Sequence, residues 1–488
     1  MPTRAHVVFC LKLLGVGVAG AIIALLSVGI YALNQKPDLK IWHTAHLDEE
    51  FTAKSGVSSF SEYLELEDRL FAQLGEKVLD RIDPEDEQPV NRYHRGSFVD
   101  AGGYDQNWNR SYEWPEQESG PNCGVLLIHG LSDSPYSLRS IGNSLHAKGA
   151  HVLALRVPGH GTAPSGLVRT RWKDMSAAVE LAMVHLKSRV GDKPLFIVGY
   201  SNGGALAVRY ALTSLERESL PRVAGLALIS PEIGITPAAA FAVWQGRIGG
   251  LLGLSKLKWN DVGLEYDPYK YNSFPVNAGD LAHRLTETNR LSIRKLAKAG
   301  RLSDFPEVIA FQSVVDSTVR ATALVEDLFF HLPENNHELV LFGLNRRVGF
   351  SPLYKEDPAD QLKALLAQPG RSFDLTVLTS RTDSEYEVIL KQWPVGKNVP
   401  TEEETPFRWP PEIYSLSHVA LPFSPDDPIY GKKKESGISL GHLDLRGEKG
   451  ALRISGNDMM RLRWNPFYRY LESRTLERFG LAELLINP

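Results

Sequence analysis

The stretch Pro194-Leu-Phe-Ile-Val-Gly-Tyr-Ser-Asn-Gly-Gly-Ala-Leu-Ala207 constrains this chain more than any other. Leu195 to Val198 is a short apolar run with a β-branched pair, bounded by Pro194 and Gly199, and reads as a buried strand. Beyond Gly203, the residues Ala205, Leu206, Ala207, Val208 and Tyr210 read as a packed helix. Between them, Gly199-Tyr200-Ser201-Asn202-Gly203 fits G-x-S-x-G in the strand–turn–helix setting that the pattern requires. A turn this tight brings the backbone almost onto itself, and only residues without Cβ fit on its two sides. Ser201 is then expected in a strained conformation at a helix N-terminus, where the dipole favours developing negative charge.

Around this turn the chain alternates strands and helices. Val125-Leu-Leu-Ile128 reads as a buried strand ending in His129-Gly130-Leu131, a helix is expected over 137–148, and Val152-Leu-Ala-Leu155 is the next strand. Arg156-Val-Pro-Gly-His-Gly161 makes a glycine-rich loop at a strand end, where open α/β sheets place their sites. A helix over 175–189 leads into the Ser201 strand, and Val223-Ala-Gly-Leu-Ala-Leu-Ile229 follows as another strand before Ser230-Pro231. This alternation predicts a mostly parallel sheet with right-handed crossovers.

His129-Gly130, Pro158-Gly-His-Gly161 and Gly199-Tyr-Ser-Asn-Gly203, in that order and each at a strand end, resemble the α/β-hydrolase superfamily. Within it, the chain is similar to the branch of monoacylglycerol lipases, lysophospholipases and serine-aminopeptidase-like enzymes. The resemblance is close over about 124–230 and looser in the C-terminal half. It implies an α/β-hydrolase fold, a mostly parallel central sheet flanked by helices, with a cap insertion over the serine. One departure stands out: Arg156 occupies a place where relatives often carry Asp, which questions how the Gly-His-Gly loop is anchored.

A serine hydrolase needs a base, an acid that orients it and an oxyanion hole. In this fold the order along the chain is Ser, then Asp or Glu, then His. The strand beginning at Glu307 ends in Asp316, which takes the acid position; Glu326 and Asp327 fall inside the following helix. His331, His337, His418 and His442 all come later. His331 closes a helix and His337 opens a strand. His418 lies in an apolar, proline-terminated loop with Ser417 and Tyr414 available to orient an imidazole, and is the favoured base. His442, flanked by Lys432-Lys-Lys434, Asp444 and Arg446, stays the alternative. The resemblance makes the backbone N–H groups of Leu131 and Asn202 the oxyanion donors. No H-E-x-x-H, C-x-x-C or P-loop is present, so no metal site and no cofactor are expected.

Residues 13–33 are uncharged, almost wholly apolar and long enough to cross a bilayer as a helix. Arg4 and Lys12 precede them, so an uncleaved anchor is expected with a cytoplasmic N-terminus and the catalytic body on the extracytoplasmic side. Gly15-Val-Gly17-Val-Ala-Gly20 matches G-x-G-x-x-G but follows no strand, so it does not read as a nucleotide loop. The formal net charge of −4, with no long basic run, argues against a nucleic-acid partner. Cys10 and Cys123 are placed too differently for a disulfide to be expected. Asn109-Arg110-Ser111 is a glycosylation sequon by pattern.

The 488 residues divide into an anchor (1–36), an N-terminal extension (37–122), a hydrolase core (123–231 and 304–488) and a cap or lid (232–303). The core carries an insertion at about 346–410, with a strand at 373–379 and an acidic Glu402-Glu-Glu404 loop. A helix with an apolar stripe is expected near 61–82, and Asn107 to Glu113 reads as a short strand or hairpin. In the cap, the segments 238–244 and 248–254 are apolar and small-residue-rich, suited to a cap core or an acyl pocket. The expected activity is a membrane-anchored serine hydrolase cleaving a lipid-like or other apolar carboxylic ester through an acyl-enzyme. An aminopeptidase-like amidase and a non-catalytic binding module on the same fold are the alternatives.

Overall fold

The computed structural model describes residues 36–115, 120–234, 255–314, 316, 321–348, 370–411, 413–432, 439–441 and 462–481, with isolated positions between 15 and 27. The apolar segment 13–33, Cys10, the cap segments 238–244 and 248–254, and His442 therefore fall outside, or almost wholly outside, the described residues. Among the described residues no helix is long and apolar enough to cross a membrane.

Twelve strands are described. The first five are β1 (Tyr112–Trp114), β2 (Cys123–Ile128), β3 (Ala150–Leu155), β4 (Leu195–Tyr200) and β5 (Gly225–Ile229). A small pair follows, β6 (Trp259–Asp261) and β7 (Phe274–Pro275). The rest are β8 (Glu307–Ser313), β9 (His337–Phe342), β10 (Phe373–Ser380), β11 (Glu387–Trp393) and β12 (Thr401–Arg408). Ten of them form one sheet in the order β1-β3-β2-β4-β5-β8-β9-β10-β11-β12. From β3 to β10 every neighbouring pair is parallel, and the two ends of the sheet are antiparallel.

The strand sequences explain the burial. Parallel strands covered on both faces need no polar side, and β2, β3 and β4 are buried at every position. Alternate residues serve two separate cores: Leu126, Ile128 and Ile197 join one, Val125, Leu127 and Val198 the other. The first core is closed by α3 (Trp172–Val190), α4 (Asn202–Glu216) and α5 (Val276–Lys298); the second by α2 (Arg139–Ala147) and the C-terminal α7 (Tyr468–Arg478). Phe479, just past α7, stacks on Phe196 of β4 at 4.2 Å between ring centroids. The chain leaves β2 towards β3 and returns to β4 on the other side, so the order reverses between β2 and β4. Crevices at such reversals, beyond the strand C-termini, are where open α/β sheets bind ligands.

Several boundaries differ from the sequence reading. The extension helix, α1, runs Phe60–Lys77, with Ser59 accepting from the Glu62 N–H at its start. Helix α5, assigned to the cap, is the crossover between β5 and β8; Asn289 Nδ2 donates to the Ala205 carbonyl of α4 at 2.8 Å. The segment about 346–410 extends the central sheet by β10, β11 and β12. Glu402-Glu-Glu404 is not a loop but part of the edge strand β12, where Lys391 meets Glu402 at 2.7 Å and Arg381 pairs with Glu404. An edge strand exposed on both faces gains nothing from apolar alternation, and its charges discourage edge-to-edge pairing. The short α6 (Ala321–Asp327) follows β8 as expected.

Candidate active site

Ser201 lies between the end of β4 and the start of α4, with φ 52° and ψ −117°. The left-handed region is costly for a residue with a Cβ, and the surroundings over-determine it. The Ser201 N–H donates to Ile229 O of β5, and the Ser201 carbonyl accepts from the N–H groups of Gly204 and Glu232, each at 2.9 Å. The flanking glycines are obligatory by contact: a Cβ on Gly203 would lie 2.0 Å from Ile128 O, and one on Gly199 would lie 2.6 Å from Gly203 O. The elbow therefore presses directly on the end of β2.

That contact puts the loop after β2 beside Ser201. Ile128 is in register with Gly199, so the two strand ends open onto the same crevice. His129 is buried; its Nδ1 lies 2.9 Å from Gly130 O and its Nε2 accepts from the Val157 N–H at 3.0 Å. Burial, with His160 alongside, holds its imidazole well below the ordinary histidine range, so it stays neutral and ties two loops together. The Ser132 carbonyl accepts from Tyr271 N–H at 2.8 Å, bracing the same loop from the β6–β7 side. Among the described residues, the N–H groups of Leu131 and Asn202 have no hydrogen-bond acceptor. They are donors at the ends of adjacent strands.

Asp316 and His418 come together. Asp316 Oδ1 lies 3.8 Å from His418 Nδ1, longer than a hydrogen bond, and the Asp316 side chain is buried. Gln312, at the end of β8, donates from Nε2 to Asp316 Oδ2 at 2.8 Å. His418 opens a helical turn, His418–Ala420, between buried Leu416 and buried Ala420. The loop after β9 holds that segment: Asn345 donates from its N–H to Tyr414 O at 2.9 Å and from Nδ2 to Ile413 O at 2.8 Å. Ser417, expected to orient the imidazole, instead donates to Leu462 O at 3.1 Å. Ser201 Oγ has no hydrogen-bond partner among the described residues. Such contacts often close only when substrate is bound.

Three features went unseen in the sequence. Glu232, just past β5, accepts from Asn202 Nδ2 at 2.9 Å, and burial pushes its carboxyl up from the ordinary range. Gln312 is a fully buried polar residue that directly follows the apolar run Val308–Phe311 of β8, a signal that could have been read. The third is the partner set of Arg156. Its guanidinium is fully buried and pairs with Glu50 at 3.0 Å and Glu67 at 2.9 Å, both from the N-terminal extension. Glu50 also accepts from the Gly159 N–H at 2.9 Å, and Tyr63 OH donates to Arg156 O at 2.6 Å. The Gly-His-Gly loop is thus anchored by a basic residue between two acids, and the doubt raised by the missing Asp is resolved.

The sequon is also corrected. Asn109 is buried, its Nδ2 donating to Pro268 O at 3.0 Å, so it is closed to glycosylation in the folded protein. Cys123 is a free, buried thiol pushed up to about 12 by burial. A cavity of about 310 Å³ between the extension and the core is lined by His43, Glu50, Arg169 and Trp259 among others, and by none of Ser201, Asp316 or His418.

Comparison with known proteins finds sequence similarity over the N-terminal part of the sheet. Residues 125–254 match the family described as alpha/beta hydrolase fold. The thermostable monoacylglycerol lipase of Bacillus sp. (strain H-257) is 34% identical over 131 residues, which is 27% of this chain and 49% of that protein. Phospholipase YtpA of Bacillus subtilis (strain 168) is 26% identical over 127 residues, 25% of this chain and 45% of that protein. The chain thus spans about half the length of these curated relatives. The crystal structure of Paleococcus ferrophilus monoacylglycerol lipase is 18% identical, covering 48% of this chain and 88% of that one with a TM-score of 0.36. The segment 125–254, with Ser201 at its turn, is thus similar to the alpha/beta hydrolase fold family.

Proposed function

We propose that this chain is a serine hydrolase that cleaves a carboxylic ester of a lipid or other apolar acid through an acyl-enzyme. The observation that carries the reading is Ser201 held at positive φ at the end of β4, beside two unengaged N–H groups. The Asp316–His418 approach at 3.8 Å supports it.

The chemistry follows from the positions. Ser201 Oγ attacks the ester carbonyl carbon while His418 Nε2 takes its proton; Nδ1, on the other side of the ring, faces Asp316. The buried carboxylate favours that tautomer and stabilises the imidazolium. The oxyanion takes hydrogen bonds from the Leu131 and Asn202 N–H groups, and the N-terminus of α4 adds its dipole. Collapse expels the alcohol, which takes the proton from His418 Nε2. Water, deprotonated by the same nitrogen, then attacks the acyl-enzyme; the acid leaves and Ser201 regains its proton.

The substrate class rests on the similarity to a monoacylglycerol lipase and a phospholipase and on the apolar cap sequence. The apolar segment 13–33 is proposed as a membrane anchor that keeps the enzyme at its lipid source, the catalytic body extracytoplasmic. The test compares p-nitrophenyl esters and monoacylglycerols of increasing acyl length with amino-acid p-nitroanilides. Ester turnover with a burst of p-nitrophenol on a long-chain ester supports the reading. Turnover of the anilides alone would replace it with the amidase.

A further inference from the structure

We infer that Glu232 is a positioning residue that aims the oxyanion donor of Asn202, an inference that rests on the serine-hydrolase reading above. The peptide between Ser201 and Asn202 sets the geometry. The Ser201 carbonyl and the Asn202 N–H belong to one rigid planar unit, pointing in opposite directions. Whatever grips the carbonyl therefore aims the N–H. Glu232 grips it from outside the helix, its own N–H donating to Ser201 O at 2.9 Å. The other two grips, from Gly204 and Ala205 N–H, come from within α4.

The side chain closes the clamp. Asn202 Nδ2 donates to Glu232 Oε2 at 2.9 Å, so Glu232 is tied to the Ser201–Asn202 unit by a backbone bond to Ser201 O and a side-chain bond from Asn202, which together close a ring. Asn202 is buried and Glu232 partly so. No basic side chain pairs with this carboxyl among the described residues, and burial raises its pKa. An acid kept there without a cation costs stability, and packing alone would favour an apolar residue. What the carboxyl provides is an acceptor for Asn202, and a neutral amide oxygen could provide it equally.

Glu232 sits after β5, one strand over from the nucleophile and between it and Asp316 after β8. Ser201, Glu232 and Asp316 therefore line successive strand ends. The backbone of Ser201 is strained and tends to relax, rotating the very peptide whose N–H must stay aimed. The ring through Glu232 opposes that rotation.

The test uses the full chain and p-nitrophenyl butyrate, with Ser201→Ala as reference. Glu232→Ala is expected to lower kcat by roughly 10-fold or more, short of the full loss of an oxyanion donor, with KM changed by less than about 2-fold. Glu232→Gln keeps the acceptor and is expected to stay within about 3-fold of wild-type kcat. Asn202→Ala should match Glu232→Ala, and the double variant should cost about as much as either alone. If Glu232→Ala proves unfolded by circular dichroism, Asn202→Ala and the Gln variant carry the comparison. Wild-type kcat in Glu232→Ala or Asn202→Ala, or a Gln variant as impaired as Ala, overturns the inference. Full activity in Ser201→Ala would instead overturn the serine-hydrolase reading itself.

Discussion

Arg156 on the loop after β3 and Glu67 on α1 form a buried ion pair at 2.9 Å, both side chains almost inaccessible to water. Ser111 ties into the same pair, its Oγ donating to Glu67 Oε2 and accepting from the Arg156 N–H, each at 2.9 Å. A residue of the N-terminal extension thus shapes a loop of the core.

Removing Glu67 leaves the buried Arg156 with Glu50 as its remaining carboxylate and strips Arg156 Nε and Ser111 of their acceptor. Glu67→Ala is expected to destabilise the protein by about 1–3 kcal/mol, whereas exposed Glu402→Ala should cost under about 1 kcal/mol. Urea unfolding followed by circular dichroism measures both. Equal, small losses would show that the extension is only laid on the surface.

Gly203 offers a steric test. With its hypothetical Cβ 2.0 Å from Ile128 O, Gly203→Ala must push β4 from β2 or unwind the turn. The expected loss is about 1–3 kcal/mol or more, together with most of the ester turnover. By contrast, Gly279→Ala in α5 meets nothing within 4 Å and is expected to be neutral or slightly stabilising. A Gly203→Ala variant as stable and active as wild type would contradict the close approach.

Protonation links one strand to pH. Burial lowers His337 to about 4, and its Nδ1 accepts the Val308 N–H at 3.1 Å, a lone pair that protonation removes. Its pKa is depressed in the fold, so below the unfolded value of about 6.5 the unfolded chain binds a proton that the native state refuses. Its contribution therefore falls as pH drops from about 6.5 towards 4, by about 1.4 kcal/mol per unit. Glu265, raised to about 7 by burial, works in the opposite sense over much of that range, so the comparison must be between variants. His337→Asn should flatten the stability–pH curve between pH 6.5 and 4 by one proton's worth. An unchanged slope would mean that His337 is protonated in the fold.

The histidines after Asp316 are separated by kinetics. His418→Ala is expected to drop kcat by roughly 10³-fold or more, because nucleophile and base act as a unit. His442→Ala should change it little. Wild-type kcat/KM should rise with pH through an ascending limb near neutrality as the base loses its proton. The reverse ranking of the two variants would move the base to His442.

What the sequence disclosed follows from how local each constraint is. The elbow was legible because G-x-S-x-G between an apolar run and an alanine-rich helix admits few backbones. Asp316, just past β8, and His418, in an apolar loop, were picked out from the sequence, and the structure brings them to 3.8 Å. Glu232, Glu50 and Glu67 were not, since their meaning lies in partners far along the chain: Asn202 for the first, Arg156 for the other two. Nothing local distinguishes them from the many solvated glutamates. Strand β12 escaped for another reason, as an edge strand exposed on both faces carries no alternation to read.

Whether Ser201 is an activated nucleophile is decided by a fluorophosphonate probe with the modified residue mapped by mass spectrometry. One phosphonylated residue is expected, Ser201, and none in Ser201→Ala, with that variant folded and its ester hydrolysis reduced by on the order of 10⁴-fold. An unlabelled folded wild type, or a label on another serine with Ser201→Ala still active, would contradict it.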